Sequence, residues 1–189
     1  MFTTTISIIT LAITLPVILA ANCPNIVTRN EWEARSATSP SLSVNPPTHV
    51  VIHHSASSGC TTKSKCSRLV KSFQNYHMDT QHWNDIGYSF LVGEDGNVYE
   101  GVGWGKRGTH APNYNSKSIG ICVIGTFTST RPNDAALQAV KDLIACGVSQ
   151  GKIKRDYKLI AHRQVKSTEC PGKSLYDEVK TWPQWTSQP

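Results

Sequence analysis

Apolar residues along this chain fall into runs of two periods, which together set out an alternation of strands and helices. Val50-Val51-Ile52 makes a continuous β-branched run inside His49–His54, the mark of a buried strand. Ile86–Val92 and Asn97–Glu100 read as two further strands joined by Gly93–Gly96, with Asp95-Gly96 as the hairpin signal. Ser118–Thr126 is apolar enough to be central, and Tyr157–Ala161 reads as a strand ending at His162. Elsewhere the spacing is helical. Leu69, Val70, Phe73 and Tyr76 share one face behind a Ser67 cap. Leu137, Val140, Ile144 and Val148 stripe the longest helix, opened by Pro132 and Asp134 and stopped at Gly151. Ser174 caps a last helix through Leu175 and Val179, closed by Pro183. Thr28-Arg29-Asn30-Glu31 forms a capping box opening a short helical turn at Trp32, and the Ser/Pro-rich stretch Ser36–Pro47 is a surface loop. Helices interspersed with a few strands predict one α/β domain, a mixed sheet flanked by helices.

The first apolar run is of another kind. Met1 to Ala20 carries no charged side chain, Ile6–Ala20 is apolar, and small residues at Ala20 and Ala21 precede a polar Asn22. This pattern predicts a secretory signal peptide over residues 1–21 and an extracellular domain over 22–189. The run is short for a membrane span and lacks a basic flank, so no membrane span is expected. The 19 basic and 13 acidic residues leave a net charge of +6. Such a secreted surface favours anionic partners, but no Lys/Arg run or basic–aromatic repeat supports nucleic acid.

Six cysteines in a secreted chain suggest disulfides, with up to 15 pairings. Cys60 and Cys66 bracket a short polar loop that a bridge can staple, and Cys23 with Cys146 can tie down the start of the domain. Cys122 sits inside an apolar strand, as a buried thiol would. Cys170 stands apart beside Pro171-Gly172, eight residues after His162.

Once the strands are placed, His53 ends one of them, His162 ends another, and Cys170 lies in the loop that follows. Neighbouring strands would bring all three to one sheet end, where open α/β sheets keep their sites. Two imidazoles and a thiolate suit zinc and leave a fourth position for water. The spacing alone also allows a Cys170–His162 thiol hydrolase or purely structural roles, because neither an HExxH helix nor a CxxC pair is present.

Four segments sharpen this. Val51-Ile52-His53-His54-Ser55, Asp85-Ile86-Gly87-Tyr88-Ser89-Phe90, Val98-Tyr99-Glu100-Gly101-Val102-Gly103-Trp104 and His162-Arg163-Gln164-Val165…Thr168-Glu169-Cys170-Pro171-Gly172 occur in that order. They resemble the peptidoglycan recognition protein family, related to the phage lysozyme-type amidases, over about Cys23 to Trp185. The resemblance implies a central five-stranded sheet, three main helices and a groove over a zinc ion. It implies His53, His162 and Cys170 as zinc ligands, Tyr88 as a catalytic residue and Thr168 as a hydroxyl beside the reacting carbonyl. His54 is expected on the opposite face of the strand.

By the same resemblance His77, Trp83, Tyr88, Arg107, His110 and Asn115 contact a muropeptide. His82-Trp83 and Val102 hold the positions that separate stem peptides: Trp83 matches the diaminopimelate class, while Val102 stands where that class has Arg. Val cannot replace a bidentate cation, so lysine-type or broad recognition is favoured. The implied disulfides are Cys60–Cys66 and Cys23–Cys146, with Cys122 and Cys170 left free. The implied activity is a zinc-dependent N-acetylmuramoyl-L-alanine amidase of innate immunity, acting on bacterial peptidoglycan, with a monomer as the simplest state. The competing expectation is a non-catalytic peptidoglycan-binding receptor or opsonin.

Overall fold

A computed structural model describes residues 23–189; the expected signal peptide, residues 1–21, lies outside the described residues. Six strands form one mixed sheet: β1 (Ile26–Val27), β2 (His49–His54), β3 (Phe90–Val92), β4 (Val98–Glu100), β5 (Ser118–Val123) and β6 (Lys158–Ala161), in the order β1-β4-β3-β5-β2-β6. β2 lies between β5 and β6 and is parallel to both; β3 runs parallel to β5 and antiparallel to β4. Every residue of β2 and β5 is buried, which explains their unbroken apolar runs.

Three α-helices among the described residues complete the fold: α1 (Lys63–Asn75), α2 (Asp134–Ser149) and α3 (Lys173–Val179). Side chains alternate across the sheet. Val50, Ile52, Ile119 and Ile121 face Leu137, Val140 and Leu143 of α2 and Leu175 and Val179 of α3. On the opposite face Leu91, Tyr99 and Cys122 pack with Trp32 and with Val70 of α1. Burying two faces makes this a three-layer α/β domain.

The structure corrects several element boundaries. The sheet has six strands rather than five, because Ile26–Val27 pairs in parallel with Val98–Tyr99 at the edge. A two-residue strand carries no periodic signal. α1 begins at Lys63, capped by the Thr62 side chain accepting from the Lys65 N–H, not at Ser67. It passes into a π-helical segment over Tyr76–Thr80, which swings Tyr76 outward to 53 % exposure. Ile86 to Ser89 precede rather than extend β3, and β5 ends at Val123. Asn133 caps α2, while Gly172, not Ser174, precedes α3. The short turn expected at Trp32 is present over residues 29–33, closed by the expected box: the Thr28 N–H donates to Glu31 at 2.8 Å.

The disulfides are Cys23–Cys146 and Cys60–Cys66, and Cys122 is a free, buried thiol. Cys23–Cys146 spans 123 residues and fastens the start of the domain to α2. Closing a loop of that order removes much unfolded-state entropy, so a Cys23→Ser/Cys146→Ala variant is expected to lose about 3 kcal/mol. Circular-dichroism melting should show a midpoint about 10 °C lower. A shift under about 2 °C would mean that the packing of β1 alone holds the terminus.

Candidate metal centre

The sheet places the site by register. Ile52 of β2 pairs with Ala161 of β6, so the next residues, His53 and His162, emerge together at the C-terminal ends of parallel strands. Their rings lie 4.5 Å apart between centroids. The chain then makes a 3₁₀ turn over His162–Gln164 and returns Cys170 to the same point, held by the Arg163 N–H donating to the Cys170 carbonyl at 3.0 Å. Cys170 Sγ accepts from the His54 N–H at 3.4 Å and lies 3.8 Å from His53 Nδ1. One ligand atom from each of His53, His162 and Cys170 falls within 4.8 Å of the others.

The chemistry of this trio fits zinc. Bond lengths of about 2.1 Å to nitrogen and 2.3 Å to sulfur at a tetrahedral angle imply an N···S separation of about 3.6 Å. The observed 3.8 Å is close to that. His162 Nε2 is buried and has no hydrogen-bond partner, a state that costs free energy unless something ligates it. Burial holds both rings neutral. His53 is pushed well below the ordinary histidine range by burial first, then by His110, His162 and His54. His162 is lowered to about 4 by burial, then by Lys166 and His54. Burial pushes the Cys170 thiol up to about 11, against the His54 N–H and Arg163. A thiol raised in this way is the opposite of an activated nucleophile, which counts against a thiol hydrolase.

His54 turns to the other face, as alternation requires, and its Nδ1 accepts from the Phe127 N–H at 3.2 Å. Tyr88 lies beside His53, its ring 5.3 Å from that of His53. Burial, then Cys122 and Cys170, raise its phenol well above the ordinary range, so it stays protonated and able to donate. Thr168 Oγ accepts from the Cys170 N–H at 3.2 Å, which leaves its hydroxyl proton free.

The expected groove residues divide. His77 stacks on Trp83 at 4.6 Å and meets Tyr88 edge-on at 5.8 Å, giving one continuous aromatic wall. His77 is also anchored, its Nδ1 accepting from the Gly87 N–H at 3.1 Å. His82, at φ +55°, and Arg107 are exposed. Val102 borders a separate cavity of about 250 Å³ with Arg29, Asp85 and Lys106. Arg29 there is committed to Asp85 at 3.0 Å.

Two residues expected in the groove are engaged within the protein itself. His110 is only 7 % exposed and lies behind His53, its Nδ1 3.0 Å from His53 Nε2. Asn115 spends its Oδ1 on the His110 and Ala111 N–H groups at 2.9 and 2.7 Å, fixing the loop. Ser118, which the sequence does not single out, reaches His110 from β5. A larger cavity, about 620 Å³, lies elsewhere, between α2, β6 and Trp182–Gln184. It holds none of these residues.

Such a sheet, with two histidines and a cysteine meeting at its strand ends, defines an amidase-type domain. The family described as N-acetylmuramoyl-L-alanine amidase (Amidase_2) matches residues 43–173. Peptidoglycan-recognition protein SA of Drosophila melanogaster is 47% identical over 169 residues, covering 89% of this chain and 83% of that one. Among solved structures, Drosophila PGRP-LB superposes with a TM-score of 0.85 at 41% identity, over 87% of this chain and 98% of its own. Peptidoglycan recognition protein-LE, solved in complex with tracheal cytotoxin (monomeric diaminopimelic acid-type peptidoglycan), gives 0.84 at 41% identity, over 90% and 98%. The chain belongs to the peptidoglycan recognition protein family. Among the described residues no helix is long and apolar enough to cross a membrane.

Proposed function

We propose that this chain is a secreted, zinc-dependent N-acetylmuramoyl-L-alanine amidase of innate immunity that binds bacterial peptidoglycan and hydrolyses the amide between N-acetylmuramic acid and L-alanine. The observation that carries the reading is the complete donor set of His53, His162 and Cys170 within 4.8 Å, with a protonated Tyr88 beside it. Zinc bound there supplies a Lewis acid and a water acidic enough to attack an amide near neutral pH. The chain's own residues do the rest. The His77–Trp83 stack and the Tyr88 ring offer apolar faces to sugar rings and stem-peptide carbons. The Tyr88 hydroxyl donates to the oxygen that gains charge as the carbonyl becomes tetrahedral. The free proton of the Thr168 hydroxyl can serve the same oxygen. Exposed Arg107 is available to a stem-peptide carboxylate.

The test is to incubate the purified protein, with and without zinc, with defined muropeptides and to follow stem-peptide release by mass spectrometry. Zinc-dependent release is expected. Tight binding without release would make the chain a receptor or opsonin with an unused metal site. Running lysine-type and diaminopimelate-type muropeptides in parallel tests Val102. With Val102 in the diaminopimelate-reading position and Arg29 held by Asp85, the diaminopimelate carboxylate gains no bidentate partner there. The lysine form should therefore be cut at least as fast. A preference above about tenfold for the diaminopimelate form, about 1.4 kcal/mol, would overturn that expectation.

A further inference from the structure

We propose that His110 and Ser118 form a relay that fixes the protonation of His53, leaving its Nδ1 lone pair aimed at the metal. The inference rests on the metal reading above and adds two positioning residues to it. His53 is 1 % exposed, so water cannot set its tautomer. Among the described residues the one side-chain partner of its Nε2 is His110 Nδ1, at 3.0 Å. One of these two nitrogens carries the proton, and the far side of His110 decides which. His110 Nε2 lies 3.4 Å from Ser118 Oγ. The Ser118 hydroxyl has one proton, and it goes to the Tyr114 carbonyl at 2.7 Å, an atom that can only accept. Ser118 therefore offers His110 only lone pairs, and His110 Nε2 must donate. A neutral imidazole protonated at Nε2 accepts at Nδ1, so His53 Nε2 donates in turn. The His53 lone pair is then on Nδ1, the atom 3.8 Å from Cys170 Sγ.

The fold is shaped around this contact. A Cβ on Gly120 of β5 would come within 2.6 Å of the His110 ring, so the glycine gives the ring its place against the sheet. Asn115 holds the backbone of the same loop from the other side. The Tyr114 carbonyl, Ser118, His110 and His53 thus form a chain from β5 to the candidate metal. Outer-sphere partners of this sort orient a ligating imidazole and commonly contribute 10- to 100-fold, roughly, in metal affinity.

The experiment has two arms. Long-range ¹H–¹⁵N spectra of the metal-free, ¹⁵N-histidine protein read the tautomers directly. Nε2–H on both His53 and His110 is expected; Nδ1–H on His53, donating to Cys170, would overturn the relay. Zinc affinity is then measured by chelator competition. His110→Leu should weaken it by about 10- to 100-fold, while His110→Asn, whose Oδ1 takes the place of Nδ1, should recover most of the loss. A His110→Leu protein that binds zinc within about twofold of the wild type, or an Asn variant no better than Leu, would also overturn it. Should His110→Leu fail to fold, Ser118→Ala removes only the terminal acceptor, and a mixture of His53 tautomers is then expected, with unchanged Nε2–H counting against the relay. A wild-type chain that takes up no zinc defeats the metal reading itself, and the metal-free tautomers distinguish that failure from failure of the relay.

Discussion

Cys170→Ser is expected to lower zinc-dependent stem-peptide release by about 1,000-fold or more, while intact muropeptide still binds within about threefold of the wild type. Cys170 contributes to the site through one atom, whose surroundings are a metal position rather than a substrate wall: His53 Nδ1 at 3.8 Å and the His54 N–H at 3.4 Å. Serine keeps the volume but stays a neutral alcohol, so the metal loses its only anionic ligand. The pH dependence gives a second readout. In the metal-free protein the Cys170 thiol is raised to about 11, so binding must expel one proton from it at any working pH. His162, lowered to about 4, and His53, lower still than the ordinary range, are already neutral above about pH 6 and release none. Zinc affinity of the wild type should therefore rise about tenfold per pH unit between roughly pH 6 and 9. In Cys170→Ser the slope should be near zero. Calorimetric titration at several pH values checks both, and a steep slope in the variant would show that another group supplies the proton.

The same three residues show what a sequence makes legible. His53 and His162 each close an apolar run, and a run read as a strand carries its end with it, so their convergence needs only that the strands be neighbours. Cys170 follows within a short loop, so chain length alone keeps it near. The division of His53 and His54 between two faces follows from the period of a strand. Contacts between distant segments leave no such trace. His110 reads as one polar residue in a Gly-rich loop, and nothing in its neighbours marks it as buried against a strand. Its place depends on Gly120 and Ser118, which look like ordinary members of an apolar run. The start of α1 was obscured for a simpler reason. Lys63, Ser64 and Lys65 offer no apolar face, and Thr62 and Ser67 are equally good caps by type. Strand β1 is legible only through its partner β4 and the disulfide that brings the terminus back.

Tyr88→Phe separates wall from catalyst, because Tyr88 belongs to both readings. Its ring packs beside His53 at 5.3 Å and His77 at 5.8 Å, and its backbone is fixed by the Val102 N–H donating to its carbonyl at 3.0 Å. Phenylalanine keeps all of these contacts and removes one oxygen. Were the residue only part of the groove, KM would rise modestly and kcat would stay. If the phenol donates to the developing oxyanion, its loss is felt only in the transition state. The expected result is a kcat lower by about 100- to 1,000-fold with KM almost unchanged, the scale found for deleting one oxyanion donor. Zinc affinity should hold within about threefold, since a phenol kept protonated is no ligand for the ion. A kcat within about fivefold of the wild type would return Tyr88 to the wall and pass its role to the Thr168 hydroxyl, whose proton the structure leaves unspent.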